Sequence, residues 1–144
     1  MEIIQLNAIT ENEALQIHAL SNQLGYENDT TLLFGRLRQI VALNDHAVFI
    51  AKQNDQIVGW LHCLVCLRVE SPLFVEVTGL VVDENVRGQQ IGKKLIEASK
   101  IWSSNHHILK IRIRCNVVRT ESHQFYQALG FVSNKKQKVF EITL

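Results

Sequence analysis

The apolar and polar positions of this chain change period several times, and the order of those changes predicts a mixed α/β protein. Glu2 to Ile9 reads as a first strand. Thr10-Glu11-Asn12-Glu13 then matches a capping box, in which the Thr10 side chain and the Glu13 carboxylate reciprocally satisfy orphan donors at a helix start. The helix is predicted to run to about Leu24, with Gly25 as its C-terminal stop. A second helix is predicted over Thr30 to Leu43, where Leu33, Leu37, Ile40 and Val41 recur at helical spacing. Ala47 to Lys52 and Gln56 to Leu67 read as strands joined by Gln53-Asn54-Asp55, a short polar turn that favours an antiparallel hairpin. Ser71-Pro72 is expected to end the second of these strands.

Phe74 to Val82 follows, apolar at nearly every position except Glu76 and Thr78, as in a central strand covered on both faces. Gly79 interrupts it and points to a bulge or a close backbone approach; a bulge there would splay the strand from its neighbour. A helix is predicted from Gln90 to Ser104, with Ile91, Leu95, Ala98 and Trp102 as one stripe. Ile108 to Cys115 alternates, with Ile111, Ile113 and Cys115 on one face and Lys110, Arg112 and Arg114 on the other. A short helix from Thr120 to Leu129 and a terminal strand pair, near Phe131 and over Lys138 to Leu144, complete the chain. The order β-α-α-β-β-β-α-β-α-β-β shows no repeat, low-complexity segment or linker. It belongs to one mixed α/β sheet in a single domain, 1–144.

Composition narrows the function classes. With 144 residues, 47% of them hydrophobic, the chain has the size of one domain with one core. A formal charge of +1 and scattered basic residues argue against nucleic acid as a partner. No apolar run reaches the length of a membrane span, and Met1-Glu2-Ile3-Ile4-Gln5 lacks the basic and apolar regions of a signal peptide, so a cytoplasmic location is expected. Three cysteines do not suggest a disulfide framework. Cys63 and Cys66 have a Cys-x-x-Cys spacing, but in a strand that spacing puts the two thiols on opposite faces, and they read as small buried hydrophobes.

The chemistry is concentrated from Val81 to Leu95, where an apolar strand runs through a polar turn with two glycines into an amphipathic helix. Free backbone N–H groups and the helix dipole make such a start a cradle for phosphate. A P-loop does not fit, because Gly88 and Gly92 enclose three residues and Lys93 is followed by Lys94 rather than Ser or Thr. A dinucleotide fingerprint does not fit either, since it needs a third glycine. Arg87-Gly88-Gln89-Gln90-Ile91-Gly92 instead resembles the acyl-CoA signature of the GNAT N-acetyltransferase superfamily, Arg or Gln-x-x-Gly-x-Gly or Ala. Gln90 departs from it by standing where the first glycine usually stands. The segment from Arg114 through Asn116 to Phe125-Tyr126-Gln127-Ala128-Leu129-Gly130-Phe131 is similar to the family's strand, asparagine, helix and closing Phe-Tyr-x-x-Leu-Gly-Phe. The resemblance extends over essentially the whole chain in element order.

That resemblance implies a single-domain α/β fold with a mixed, mostly antiparallel sheet, a bulged central strand and helices on both faces. It implies an N-acetyltransferase that uses acetyl-CoA as cosubstrate and no metal, with direct attack by a primary amine of a small molecule or peptide in a ternary complex. Leu80, Val81 and Val82 would pair with pantetheine, and the N–H of Val81 or Val82 would polarise the thioester carbonyl. Arg87, Gly88, Gln89, Gln90, Ile91, Gly92 and Lys93 would take the pyrophosphate. Tyr126 stands where the family's general acid protonates the leaving thiolate, a transfer that a phenol near pKa 10 and a thiol near about 8.5 allow; the alternative is a half-buried aromatic on a helix. Asn116 resembles the residue that bonds pantetheine or a bridging water, or is a turn residue before a helix.

Glu76 is the first candidate for general base, because a carboxylate in an apolar strand is expensive unless paired, hydrated or used. Its other reading is to order structure or bind the substrate cation. His123 and His62 are secondary candidates, more often structural, and Cys115 has no evident base for a covalent route. Two further readings stand beside the enzyme: a non-catalytic acyl-CoA sensor on the same fold, toward which Gln90 leans, and a small nucleotide-binding protein. Glu11, Glu13, Glu27, Asp29 and Asp55 would attract a cationic amine or serve as solvated faces and caps. Many family members form dimers, and the terminal strands here are candidates for a homodimer contact.

Overall fold

The computed structural model describes residues 1–23, 29–114 and 120–144. The chain divides into two compact units, Met1–Ile113 and Arg114–Leu144.

In the first unit, local chemistry sets the helix starts. The strand β1 (Glu2–Gln5) is shorter than its apolar run and leads to α1 (Glu11–Asn22). Thr10 Oγ1 accepts from the Glu13 N–H at 3.1 Å while the Thr10 N–H donates to Glu13 Oε1 at 2.9 Å, so the capping box closes as expected. Helix α2 (Thr30–Val41) is capped by Asp29, whose carboxylate accepts from the N–H of Thr31 and of Leu32. Gly25, the expected stop of α1, lies outside the described residues.

The strands β2 (His46–Gln53) and β3 (Gln56–Arg68) are joined by Asn54 and Asp55 alone. Both have positive φ, 52° and 63°, the left-handed pair that a two-residue hairpin needs to match strand twist. Ser71 and Pro72 do not close β3 as the sequence led us to expect; they open β4 (Ser71–Val82). Proline is tolerated there because β4 pairs with β5 only from Val75 onward, so its missing N–H breaks no bond on that edge. A 3₁₀ turn (Glu84–Val86) leads to α3 (Ile91–Asn105), and β5 contracts to Ile111–Ile113.

The sheet runs β1-β2-β3-β4-β5, antiparallel except for the parallel β4-β5 pair. Helices cover both faces. Ala14, Ile17 and Leu20 of α1 and Leu37 of α2 pack with Val48, Ile50, Val81 and Trp60 on one side. Helix α3 lies on the other, where a Cβ on Gly59 would come within 3.2 Å of both Ile91 and Leu95. Trp60, the next residue along β3, faces the opposite way.

The bulge expected near Gly79 is present. Gly79 pairs with His62 and Val77 with Cys63, which leaves Thr78 as an extra residue on β4. The glycine itself answers a close approach, since a Cβ there would sit 2.6 Å from the Trp60 ring. Cys63 and Cys66 are buried and three residues apart on β3, where the thiols fall on opposite faces. No helix among the described residues is long and apolar enough to cross a membrane.

The second unit contains α4 (Thr120–Ala128). The strand pair expected near Phe131 and over Lys138 to Leu144 is not seen within this unit: among its described residues, 131–144 enter no ladder. Alternation alone does not make a strand; a strand also needs a partner to pair with and a face to bury.

Gly79→Ala is expected to lower unfolding stability by about 1–3 kcal/mol through overpacking against Trp60. Gly35→Ala in α2, whose added Cβ meets nothing within 4 Å, serves as the control and is expected to raise it slightly. Urea unfolding compares the two, and a neutral Gly79→Ala would contradict the packing described.

Candidate active site at the end of the fourth strand

The site begins where β4 outlasts its neighbour. β5 pairs with β4 only through Val75, Glu76 and Val77, and among the described residues no strand follows β4 past the Thr78 bulge on that side. Leu80, Val81 and Val82 still pair with Leu61, Trp60 and Gly59 of β3, so this part of β4 is held rigid along one edge and open along the other. An extended chain can add to such an edge by backbone hydrogen bonds.

The turn after β4 is braced from two directions. Gln23, at the end of α1, donates to Asp83 Oδ1 at 3.3 Å and accepts from the Glu84 N–H at 3.0 Å. Gln53 of the hairpin donates to Gln89 Oε1 at 3.0 Å. Gly88 has φ +89°. Gln90, the residue that departs from the family signature, has φ +62° and ψ +23°, a left-handed conformation open to glycine without strain. Here a glutamine takes the glycine geometry, at a strain of roughly 1–2 kcal/mol.

As N-cap of α3, Gln90 gives no side-chain cap, and the first intrahelical bond is the Lys94 N–H to the Gln90 carbonyl at 3.1 Å. This contrasts with Thr10 and Asp29, which cap α1 and α2 with side-chain oxygens. The first turn of α3 has no acidic residue, and Arg87, Lys93 and Lys94 are exposed around it. Three N–H groups, those of Ile91, Gly92 and Lys93, thus stand at a positive helix end with cations nearby. Such a donor set suits a pyrophosphate.

On the α1/α2 face, Glu76 pairs with Leu64 of β3 and lies across from Arg112 of β5. One row along, His62 Nδ1 is 2.9 Å from Thr78 Oγ1, and His62 Nε2 is 3.0 Å from His46 Nδ1. Burial first, and the neighbouring His46 second, pull the His62 pKa down to about 4, so its ring is neutral at neutral pH. Burial pushes the Cys63 thiol up to about 12, which leaves it inert. Sequence reading raised His62 only as a secondary candidate and passed over Thr78 and His46. The signal for Thr78 was a polar residue beside the interrupting glycine of an apolar strand; His46 had none, because the two-residue hairpin alone would set it opposite Cys63, and the register shift at Ala51/Lys52 sets it opposite Leu64, on the His62 face.

In the second unit, Tyr126 lies on α4 with its ring edge-on to Phe125 at 5.2 Å and to Phe131 at 5.9 Å. The helix ends in a Schellman motif: the Phe131 N–H reaches the Tyr126 carbonyl at 3.1 Å and the Gly130 N–H the Gln127 carbonyl at 3.0 Å, with Gly130 at φ +95°. The Phe-Tyr-x-x-Leu-Gly-Phe segment is therefore a helix stop that seats the Tyr126 ring against Phe131. Asn116 and Cys115 lie outside the described residues. Among the described residues no group of three His, Cys, Asp or Glu side chains is placed to hold a metal ion.

Known proteins give the same picture of the fold. The chain is similar to an aminoglycoside N-acetyltransferase AAC(6')-Iy solved in complex with CoA, at 20% identity and a TM-score of 0.86, over 99% of this chain and 95% of that one. An aminoglycoside 6'-N-acetyltransferase from Acinetobacter haemolyticus matches at 17% identity and a TM-score of 0.85, over 100% and 99%. An aminoglycoside acetyltransferase from an uncultured soil metagenomic sample, in complex with sisomicin, matches at 24% identity and a TM-score of 0.79, over 99% and 95%. No curated protein matches the chain in sequence. The family model described as an acetyltransferase (GNAT) domain matches residues 44–133, more than half of the chain and including β4, the turn and α4. The chain belongs to the GNAT acetyltransferase domain family.

Proposed function

We propose that residues 1–144 act as one N-acetyltransferase domain that transfers the acetyl group of acetyl-CoA to a primary amine of a small molecule or peptide, in a ternary complex and without a covalent enzyme intermediate. The observation that carries this reading is the uncapped start of α3, reached through two left-handed residues from the open edge of a bulged β4, in a chain of this family. In this reading Arg87 to Lys93 hold the pyrophosphate, Leu80 to Val82 pair with pantetheine, and Asn116 bonds it or a bridging water. The alternative, a non-catalytic acyl-CoA sensor on the same fold, would use the same left-handed Gln90 turn to bind the cosubstrate and differs from the enzyme in releasing no thiol.

The chemistry divides among few groups. Glu76 takes a proton from the substrate ammonium, the neutral amine attacks the thioester carbonyl, and the N–H of Val81 or Val82 stabilises the oxygen that becomes negative. Collapse breaks the C–S bond, and Tyr126 donates its phenolic proton to the leaving thiolate. The aminoglycoside acetyltransferases among the structural relatives place aminoglycosides first among acceptors to try, ahead of polyamines, amino acids and peptides.

Free-thiol release from acetyl-CoA against that panel tests the proposal; acetyl-CoA binding with no thiol released from any amine would contradict it. Tyr126→Phe is expected to lower kcat by about 10²-fold with the KM for acetyl-CoA little changed. An unchanged kcat with weaker binding would remove Tyr126 as the acid. Glu76→Gln is expected to shift or flatten the alkaline-rising limb of the pH–rate profile, and an unaltered profile would remove it as the base. Gln90→Gly should raise the unfolding temperature while acetyl-CoA binds as well or better, as calorimetry would report; a large loss of affinity would show that the glutamine side chain itself holds the cosubstrate.

A further inference from the structure

The β4 bulge does more than shift the register. It turns Thr78, the extra residue, so that its hydroxyl lies 2.9 Å from His62 Nδ1 and 3.3 Å from the His62 carbonyl oxygen. The opposite nitrogen of the same ring, Nε2, lies 3.0 Å from His46 Nδ1, and the two imidazoles have centroids 5.2 Å apart and planes within 22° of each other. Thr78 is exposed and both rings are half-buried. An unbroken chain of hydrogen bonds thus runs from an exposed hydroxyl at the bulge, across β3, to an imidazole on β2.

Every member of this chain is both donor and acceptor, so it exists in two complementary proton arrangements. In one, the Thr78 hydroxyl donates to His62 Nδ1 and His62 Nε2–H donates to His46 Nδ1. In the other, His46 Nδ1–H donates to His62 Nε2 and His62 Nδ1–H donates to Thr78 Oγ1. Passing from the first to the second moves one proton from the bulge to His46 without any heavy atom travelling.

We infer that Thr78, His62 and His46 are a proton relay for acetyl transfer, taking the proton that the amine nitrogen loses as the new C–N bond forms and passing it to solvent at His46. This rests on the acetyltransferase reading above. A primary ammonium must lose two protons to become an amide, and that reading gives Glu76 only the first. The second is lost from nitrogen to Thr78 Oγ1 as the Thr78 hydroxyl proton moves to His62 Nδ1 and the His62 Nε2 proton moves to His46 Nδ1. The His46 imidazolium so formed releases its Nε2 proton to water, and Tyr126 recovers one proton from solvent after donating its own. One thiol, one amide and one net proton result.

The position suits the task. Thr78 stands immediately before the open edge where the thioester carbonyl is proposed to bind. Nitrogen becomes far more acidic once bonded to the acyl carbon, so the acceptor needs little basicity. The His62 ring is held well below the ordinary imidazole range by its burial and by His46, so charge passes through it rather than resting there. Among the described residues this face also carries Glu76 of β4, Arg112 across from it on β5, and Arg68, whose guanidinium, like that of Arg112, lies over the Phe74 ring.

The test compares Thr78→Val, Thr78→Ser and His62→Gln with the wild-type enzyme on its best amine in mixtures of H2O and D2O. Thr78→Val and His62→Gln are expected to lose about 10²-fold in kcat with the KM for acetyl-CoA within twofold. The curved proton inventory of the wild type, from several protons in flight, should become linear in both. Thr78→Ser, which keeps the hydroxyl, should retain kcat within threefold and keep the curvature. Thr78 is exposed, so its valine variant keeps the test open if His62→Gln does not fold. Wild-type turnover with Thr78→Val unchanged in kcat and inventory would overturn the relay alone; a wild type silent with every amine would overturn the acetyltransferase reading and the relay with it.

Discussion

One extra residue in β4 governs the rest of this structure. Side chains in a strand alternate with a period of two, so inserting Thr78 between Val77 and Gly79 reverses which positions face which helices. Before the bulge, Val75 and Val77 share the face of Cys63 and of α3; after it, Gly79 and Val81 share that of Trp60, α1 and α2. Among the described residues the pairing with β5 stops at Val77, where the insertion begins, and the edge beyond it has no strand beside it. The insertion also brings the Thr78 hydroxyl onto His62. A resealed core and a polar chain beside the open edge are two effects of a single register shift.

The core makes that shift permanent. Trp60 closes over Gly79 so tightly that no side chain fits there, and Val81 is buried among the side chains of α1 and α2. On the other face Gly59 lets Ile91 and Leu95 approach β3, which fixes the first turn of α3 beside the end of β4. A helix start with bare N–H groups is unfavourable by itself, and α1 and α2 both avoid it with capping side chains. In α3 it persists, reached through a strained left-handed glutamine, and the proposed reading uses it to hold the pyrophosphate.

What the sequence revealed and what it hid follow from how local each signal is. The capping box at Thr10 and Glu13, the hairpin at Asn54-Asp55 and the stop at Gly130 depend on residues within a few positions of one another, and all three were legible. Gly79 was legible as an irregularity, though not that Thr78 rather than the glycine would be the extra residue. Strand ends were harder, because a strand is defined by its partner: Ser71 and Pro72 join β4 since Arg68 pairs with Ser71, while the alternating residues after Lys138 enter no ladder among the described residues of their unit. The conformation of Gln90 contradicts its residue preference and follows from the turn it closes. His46 and His62 are sixteen positions apart and meet only through the β2-β3 register, shifted by the bulge at Ala51/Lys52. The roles of Tyr126, Glu76 and Asn116 came from likeness to a family rather than from any local pattern.

The account stands on acetyl-CoA lying along β4 beyond the bulge with its pyrophosphate at the start of α3. Amide hydrogen exchange of the whole chain, with and without saturating acetyl-CoA, measures this most directly. The account predicts slowed exchange within Leu80 to Val82 and at Ile91, Gly92 and Lys93, with β1 and the β2-β3 turn unchanged. Saturable binding that protects other segments and leaves those amides exchanging as before would contradict it.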